Sequence, residues 1–440
     1  MMLLSVVVCI AAFAGVVALL RRKRVSLGLP VAYLGSLLLI HVPGAVAHLL
    51  DADGILIAGR PFTVIGIGLT AIGSVCFLIG VWLAQRNVEV PVPQPANRTS
   101  FAKFCLLGGA AATILSFLFW VPSIGALIER GGLIWMLAIL LGLKTALRRR
   151  DRVLMWKWLA ALMVYPVLRL LLGGFLSYGV AAMITVLSVA VIMARSSWRV
   201  AIGCIVATII GMSVFFSYFE NRKEIRGAVW GGAPVEQRID ASVGAAREIA
   251  LFNPRNQSHL YALDARLNQN YFAGLAAARI TSGESDYVYG RTIWEGFLSV
   301  IPRALWPDKP IVAGSGRIVA DMTGLDLSRE TSFGVGNVME FHINFGIAGI
   351  VVGFVLFGWI LGRLDRLAAT SDTTGDLGST LIYFLPAVAI IQPNGSMVEM
   401  VGGATAAWIA AYGWRWAWRR WPKPVASTRP VPHGMARQAL

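Results

Sequence analysis

A short cationic segment carries the residues best suited to chemistry. Residues 301–310 read Ile-Pro-Arg-Ala-Leu-Trp-Pro-Asp-Lys-Pro, and the three prolines are expected to hold Arg303 and Lys309 in a rigid turn. A guanidinium makes bidentate contacts with phosphate, and an ammonium adds a point charge. Trp294 and Trp306 are expected to stack on sugar rings or to anchor at a membrane interface. The segment therefore predicts recognition of a sugar phosphate, and the alternative is a proline-rich loop with solvated cations.

Three more arginines are weaker candidates for phosphate binding. Arg291 precedes the cationic segment, and Arg317 follows it within Gly-Ser-Gly-Arg, a stretch whose backbone N–H groups could also cradle phosphate. Arg169 lies near the end of an apolar segment, where reaching the membrane surface is the alternative explanation.

A carboxylate follows at the entry to a long apolar segment. Helical spacing places Asn337, Glu340 and Asn344 on one stripe, while His342 points elsewhere and is a candidate for contact with sugar. A carboxylate at the edge of a spanning helix is costly unless it is paired or functional. Glu340 is the first candidate for a base that accepts a proton from a substrate hydroxyl, and Asp308 is the second. Pairing of Glu340 with a loop arginine is the alternative.

Other polar groups predict no metal site. His41 and His48 share a helical face, where packing is commoner than metal ligation, and Asp51-Ala-Asp53 is a pattern that arises readily by chance. The sequence contains no HExxH, Walker or GxSxG motif, which argues against hydrolases and ATPases. We therefore predict neither a metal nor a cofactor.

Composition indicates the elements that must position these residues. The 440 residues are 57% hydrophobic and 14% charged, with mean hydropathy +0.67, which disfavours a water-soluble enzyme and a disordered chain. Eleven segments are apolar enough to predict membrane-spanning helices, of which the fifth and tenth are short: residues 2–20, 31–50, 62–84, 101–121, 132–147, 153–172, 178–194, 200–219, 341–361, 379–391 and 397–417.

Charge predicts the orientation of these helices. Arg21, Arg22, Lys23 and Arg24 directly follow the first segment, which places the N-terminus outside and the C-terminus in the cytoplasm. The connections then predicted to be cytoplasmic contain far more basic than acidic residues. The net charge of +16 is thus explained as a topology signal, without nucleic acid.

One long segment differs from the rest in composition. Residues 220–334 contain equal numbers of basic and acidic residues and are expected to form a mostly helical loop domain outside the membrane. Helices are predicted over residues 258–280, capped by Ser258, and over residues 289–301. The predicted organisation is transmembrane helices in 1–219, the loop domain in 220–334, further helices in 335–418 and a cytoplasmic tail in 419–440.

The cationic segment, together with Glu-Phe-His-Ile-Asn-Phe-Gly-Ile-Ala-Gly at 340–349, resembles Wzy-type polysaccharide polymerases of the O-antigen polymerase and ligase superfamily. The resemblance covers residues 289–361 and the general layout of many spans with a large outer loop. It implies an all-α, polytopic, GT-C-like membrane glycosyltransferase that joins lipid-linked repeat units outside the inner membrane. It also implies that Arg303, and more weakly Arg291 and Arg317, handle the pyrophosphate. Many members have two large outer loops, whereas this chain has one.

The resemblance implies partners as well as an activity. The expected substrate is an oligosaccharide on undecaprenyl pyrophosphate in a bacterial inner membrane, with a chain-length regulator and a flippase as partners in the same pathway. Two alternatives remain open: a ligase that transfers finished glycan, and a transporter or flippase of lipid-linked sugars. A transporter is expected to have paired intramembrane charges and broken helices in related halves.

Overall fold

A computed structural model describes residues 1–23, 25–86, 89–118, 124–173, 176–194, 197–234, 236–240, 244, 252–253, 255–301, 306, 314–326 and 334–422. Every regular element in these ranges is helical. Apart from a 3₁₀ turn at Ile57–Gly59, the helices are α1 (Met2–Lys23), α2 (Leu29–Leu50), α3 (Arg60–Gln85), α4 (Arg98–Leu118), α5 (Ile124–Gly131), α6 (Ile134–Arg149), α7 (Arg152–Gly173), α8 (Leu176–Met193), α9 (Ser197–Trp230), α10 (Gln257–Leu267), α11 (Gln269–Ser282), α12 (Arg291–Ser299), α13 (Ser315–Thr323), α14 (Asn337–Thr373), α15 (Leu377–Ala389) and α16 (Met397–Arg420).

The chain is an all-α protein with the apolar helices of a membrane protein. Each of the eleven predicted segments coincides with a helix. In the described ranges, seven helices are long and apolar enough to cross a membrane: Met2–Lys23, Leu29–Leu50, Ile57–Gln85, Arg98–Ser116, Ile124–Arg149, Ile202–Phe219 and Asn337–Thr373. The fifth span, predicted to be short, extends back to Ile124, whereas Val180–Met193 and Leu377–Ala389 are shorter apolar helices. The predicted sixth and eleventh spans, residues 153–172 and 397–417, are helical but are not among these candidate spans.

Helix α14 reverses direction near its start. Phe345 and Gly346 leave helical geometry, and Gly346 has φ 61° and ψ −144°, a conformation that glycine adopts readily. The rings of Phe341 and Phe354 are 5.3 Å apart, although a straight helix would separate these positions by about 20 Å. A short arm (residues 337–344) therefore folds back along a long arm (residues 347–373). Gly349 permits this because a β-carbon there would overlap the Phe341 carbonyl.

Part of the segment predicted to form the loop domain packs into the helical bundle. Helix α10 packs on α2 and helix α11 packs on α3, and the turn at Asn268 lies between α2 and α3. We call this pair the α10–α11 hairpin because the chain enters along α2 and leaves along α3 at the same end of the bundle. Asn270 contacts His41 and Thr70, which lie nine and ten residues, or about 14–15 Å, from the nearer ends of their helices. These two helices replace the single helix predicted over 258–280. The first of them, α10, is capped by Asn256 and not by Ser258.

A buried polar network explains how this hairpin tip is tolerated inside an apolar bundle. His48 Nε2 lies 2.8 Å from Asp264 Oδ1, and Asn268 donates to Thr63 Oγ1 at 2.8 Å. His41 Nδ1 lies 2.7 Å from Asn270 Oδ1. Because backbone and side-chain polar groups inside a membrane must be satisfied by protein, these contacts hold the turn in place. Each histidine thus contacts the hairpin through one ring nitrogen, while His41 Nε2 and His48 Nδ1 have no partner in the described residues.

The basic residues of several predicted cytoplasmic connections meet at one end of the bundle. Asp372 near the end of α14 accepts from Arg98 Nε at 3.0 Å and from Lys144 Nζ at 2.5 Å. Arg21 donates to the Val191 carbonyl at 2.9 Å, joining the ends of α1 and α8. These contacts agree with helices that alternate in direction, while the orientation of the bundle in a membrane remains a prediction.

Candidate functional site

The short arm of α14 places Glu340 inside the protein. Its side chain is completely buried. Oε2 accepts from the backbone N–H of Met397, the first residue of α16, at 2.8 Å. Oε1 has no partner that meets hydrogen-bond geometry in the described part of the chain, and the Thr292 hydroxyl is a side-chain donor close to the carboxylate. A buried carboxylate oxygen without a well-aligned donor is costly, and such groups are typical of functional sites.

Asn344 joins helix α12 to the same arm. Its Nδ2 donates to Thr292 Oγ1 at 2.8 Å and to the Glu340 carbonyl at 2.7 Å. Its Oδ1 accepts from the backbone N–H of Gly290 at 2.8 Å. Asn344 and Thr292 are completely buried, so α12 begins directly beside the carboxylate.

Asn337 anchors the other end of the short arm. Its Oδ1 accepts from the Tyr33 hydroxyl at 2.8 Å, and its backbone N–H donates to the Pro393 carbonyl at 3.0 Å. Asn337, Glu340 and Asn344 are all buried on the short arm. The other residues of the short arm are buried as well, so the relation among the three polar residues lies in their contacts: Asn337 and Glu340 both bond the backbone at the start of α16, and Asn344 bonds the Glu340 carbonyl.

The described residues on either side of the cationic segment both lie at the start of α16. On the N-terminal side, Ser299 Oγ donates to the Val398 carbonyl at 3.2 Å. On the C-terminal side, Ser315 Oγ donates to Glu399 Oε1 at 2.8 Å. Glu340 is hydrogen-bonded to Met397 in the same helical turn. The chain is therefore attached close to the carboxylate on both sides of the cationic segment.

The predicted site residues differ in how the structure places them. Arg303, Asp308 and Lys309 lie outside the described residues, and so does the side chain of Arg169 in α7. Trp294 and Trp306 expose 63% and 37% of their surface.

The two described arginines of the predicted site are exposed and close to acidic neighbours. Arg291 lies 3.9 Å from Glu295, and Arg317 lies 3.9 Å from Asp321, each one helical turn along. Exposed pairs at this distance contribute little to stability, so both guanidinium groups are available to an anion.

His342 lies apart from the Glu340 stripe. It is buried, its ring centroid is 6.2 Å from that of Tyr287, and its Nδ1 has no partner in the described ranges. Its predicted contact with sugar stays a prediction.

Sequence reasoning missed the groups that hold Glu340. The Met397 donor is a backbone N–H, and Thr292 is one of many threonines, so neither carries a sequence signal. Glu399, which showed no partner in the sequence, forms a capping box with Ser396 at the start of α16. Within the described residues, no group of three or more His, Cys, Asp or Glu side chains is arranged to hold a metal ion.

The site combines a buried carboxylate, a helix start that binds it, and exposed cations on adjoining helices. Comparison with known proteins adds no family to this description. No family model matches the chain, and no curated protein or solved structure is detectably similar to it.

Proposed function

We propose that this protein is a membrane glycosyltransferase that joins oligosaccharide repeat units carried on undecaprenyl pyrophosphate into a surface or extracellular polysaccharide. The observation that carries the proposal is the buried Glu340 carboxylate, whose Oε1 has no partner that meets hydrogen-bond geometry in the described residues and which lies between α12 and α16. The resemblance of residues 289–361 to Wzy-type polymerases supports the substrate class.

In this reaction a hydroxyl oxygen of the acceptor unit attacks the anomeric carbon of the donor glycan. The bond from that carbon to the diphosphate breaks, and its electron pair leaves with the diphosphate. Glu340 accepts the hydroxyl proton at Oε1. Because Glu340 is completely buried, the proposal requires α12 to move aside so that the acceptor can reach it.

The leaving diphosphate needs cations, since preorganised charge stabilises the negative charge that develops. Arg291 and Arg317 are exposed on helices that adjoin the start of α16, and Arg303 and Lys309 belong to the segment between them. We assign these four residues to diphosphate binding. The apolar helices and the basic connections support a bacterial inner-membrane location with the N-terminus outside.

The decisive experiment is the glycan length profile of a strain in which Glu340→Gln replaces the wild type. Glutamine keeps an acceptor for the Met397 N–H but cannot take a proton, so we expect the protein to insert normally and the product to remain a single repeat unit. The matched control is Glu284→Gln, because the Glu284 side chain is 62% exposed. Normal-length polysaccharide from the Glu340→Gln strain would remove the assignment, and long unattached chains from a deletion strain would indicate a ligase.

Transport of a lipid-linked sugar is the second candidate, and the reversal within α14 favours it. Discontinuous helices at membrane depth are common in transporters, and the short arm begins beside the connection between α15 and α16. Protein-dependent flipping of a lipid-linked oligosaccharide in sealed vesicles, without chain extension, would establish this function instead.

A further inference from the structure

A cavity lies beside the connection between α15 and α16. Its volume is about 70 Å³, which is smaller than a typical drug-sized site but large enough for a few water molecules or one phosphate group. Helices α5, α6, α8 and α15 surround it, and most of its lining is apolar: Leu133, Met136, Ala181, Ala182, Val388 and Ile391, with Glu129, Arg130, Thr185 and Gln392 as the polar members.

Arg130 supplies a positive charge to this cavity from within an apolar span. It belongs to the membrane-crossing stretch Ile124–Arg149 and is half-buried. Its side chain makes no hydrogen bond or ion pair with the residues that the structure describes. The guanidinium lies against Gly403 of α16, where an added β-carbon would be 3.2 Å from its Cζ. Arg130 is about 9 Å from the start of this stretch, so its guanidinium is held against the bundle near one end of the span.

The other polar groups of the lining limit which kind of ligand the cavity can bind. Glu129 also lines the cavity, but it is exposed, has contacts of its own and forms no ion pair with Arg130 in the part of the chain that the structure describes. Gln392, in the α15–α16 connection, donates one amide N–H to the Ala389 carbonyl at 2.6 Å and has a second N–H for a ligand. One guanidinium and an amide donor at an apolar cavity suit a phosphate joined to a hydrocarbon chain.

We propose that this cavity binds the phosphate group of a membrane amphiphile, with Arg130 as its principal contact and the apolar lining holding the first part of the hydrocarbon chain. The ligand chemistry has two sources, a polyprenyl phosphate and an anionic phospholipid. The inference concerns binding and does not rest on the proposed transfer reaction. Gln392 precedes Met397 by five residues, so an occupied cavity lies across one short connection from the residue that holds Glu340.

The test is lipid binding to the purified full-length protein in detergent, followed by native mass spectrometry. The probes are undecaprenyl phosphate, phosphatidylglycerol and the uncharged alcohol undecaprenol. We expect at least one phosphate lipid to bind and Arg130→Gln to weaken its binding by about tenfold or more. The control is Arg60→Gln, which removes an exposed cation at the start of α3 and should leave binding unchanged.

Two glycine variants test the position of the guanidinium without changing charge. Gly403→Ala presses on Arg130 and should weaken binding by about threefold or more, whereas Gly413→Ala on the same helix meets open space and should not. Preference for undecaprenyl phosphate identifies a polyprenyl source, and preference for phosphatidylglycerol identifies a phospholipid source. Equal binding of undecaprenol, or unchanged binding by folded Arg130→Gln protein, would overturn the proposal. Neither result bears on the glycan length profile of the Glu340→Gln strain.

Discussion

The reversal of α14 predicts that one substitution has opposite effects at two glycines. Alanine normally stabilises a helix relative to glycine by about 0.5–1 kcal/mol. A methyl group added at Gly413 in α16 would meet no atom within 4 Å, so Gly413→Ala should stabilise the protein by that amount. At Gly349 the same methyl group would overlap the backbone carbonyl of Phe341.

A backbone carbonyl cannot move aside as the end of a flexible side chain can. Overpacking of this kind costs about 1–3 kcal/mol, which exceeds the gain in helix propensity, so Gly349→Ala should destabilise the protein by about 0.5–2 kcal/mol net. The assay is the fraction of detergent-solubilised protein that remains monodisperse after heating. We expect the midpoint temperature to fall for Gly349→Ala and to rise slightly for Gly413→Ala. A rise for both variants would refute the reversal, because Gly349 on a straight helix would lie far from Phe341.

Three further predictions concern buried polar contacts. Asp372→Ala should destabilise the protein by about 3–5 kcal/mol because it leaves the Lys144 ammonium buried without its partner, and adding Lys144→Met should restore much of the loss in the same heating assay. Asn270→Leu should cost about 2 kcal/mol or more and expose the α10–α11 hairpin to limited proteolysis, whereas Gln257→Leu at its exposed start should not. Thr292→Val should speed hydrogen exchange of the α12 amides without changing that of α11, and unchanged exchange would contradict the role of the Asn344 contact.

Hydropathy predicted the helices of the bundle because spanning segments must be long and apolar. It did not predict the reversal at Phe345–Gly346, since residues 341–361 have the composition of one uninterrupted span. The motif Asn-Phe-Gly-Ile-Ala-Gly at 344–349 contains both requirements, a glycine for the turn and a second for the close approach of the arms. The backbone angles at Phe345 and Gly346 and the contacts of Phe341 with Gly349 and Phe354 distinguish this from an ordinary helix start.

The α10–α11 hairpin was assigned to a loop domain because its sequence is polar. In the structure these polar side chains lie within the bundle, where Asp264, Asn268 and Asn270 pair with groups on α2 and α3. Composition does not separate a solvated polar residue from one that satisfies a partner inside the bundle. The two histidines on one face of α2 were the sequence signal of this contact, although their partners lie more than 200 residues away.

The candidate site was predictable where it depends on local spacing. Helical periodicity predicts the polar stripe of the short arm, and in the structure Asn337 and Glu340 both bond the backbone at the start of α16. The donor from Met397 and the contact with Thr292 join residues about 50 positions apart, which periodicity does not report. The roles of Arg303 and Lys309 remain predictions because both lie outside the described residues.

The most direct test of the central claim, that Glu340 is the base of a sugar transfer, is the rate of chain extension in proteoliposomes. Purified protein would be supplied with lipid-linked repeat units, and both lengthened glycan and released undecaprenyl pyrophosphate would be measured. We expect the wild type to release one diphosphate lipid per unit added and Glu340→Gln to extend chains about 10²–10⁴-fold more slowly. Extension by Glu340→Gln at the wild-type rate would contradict the claim.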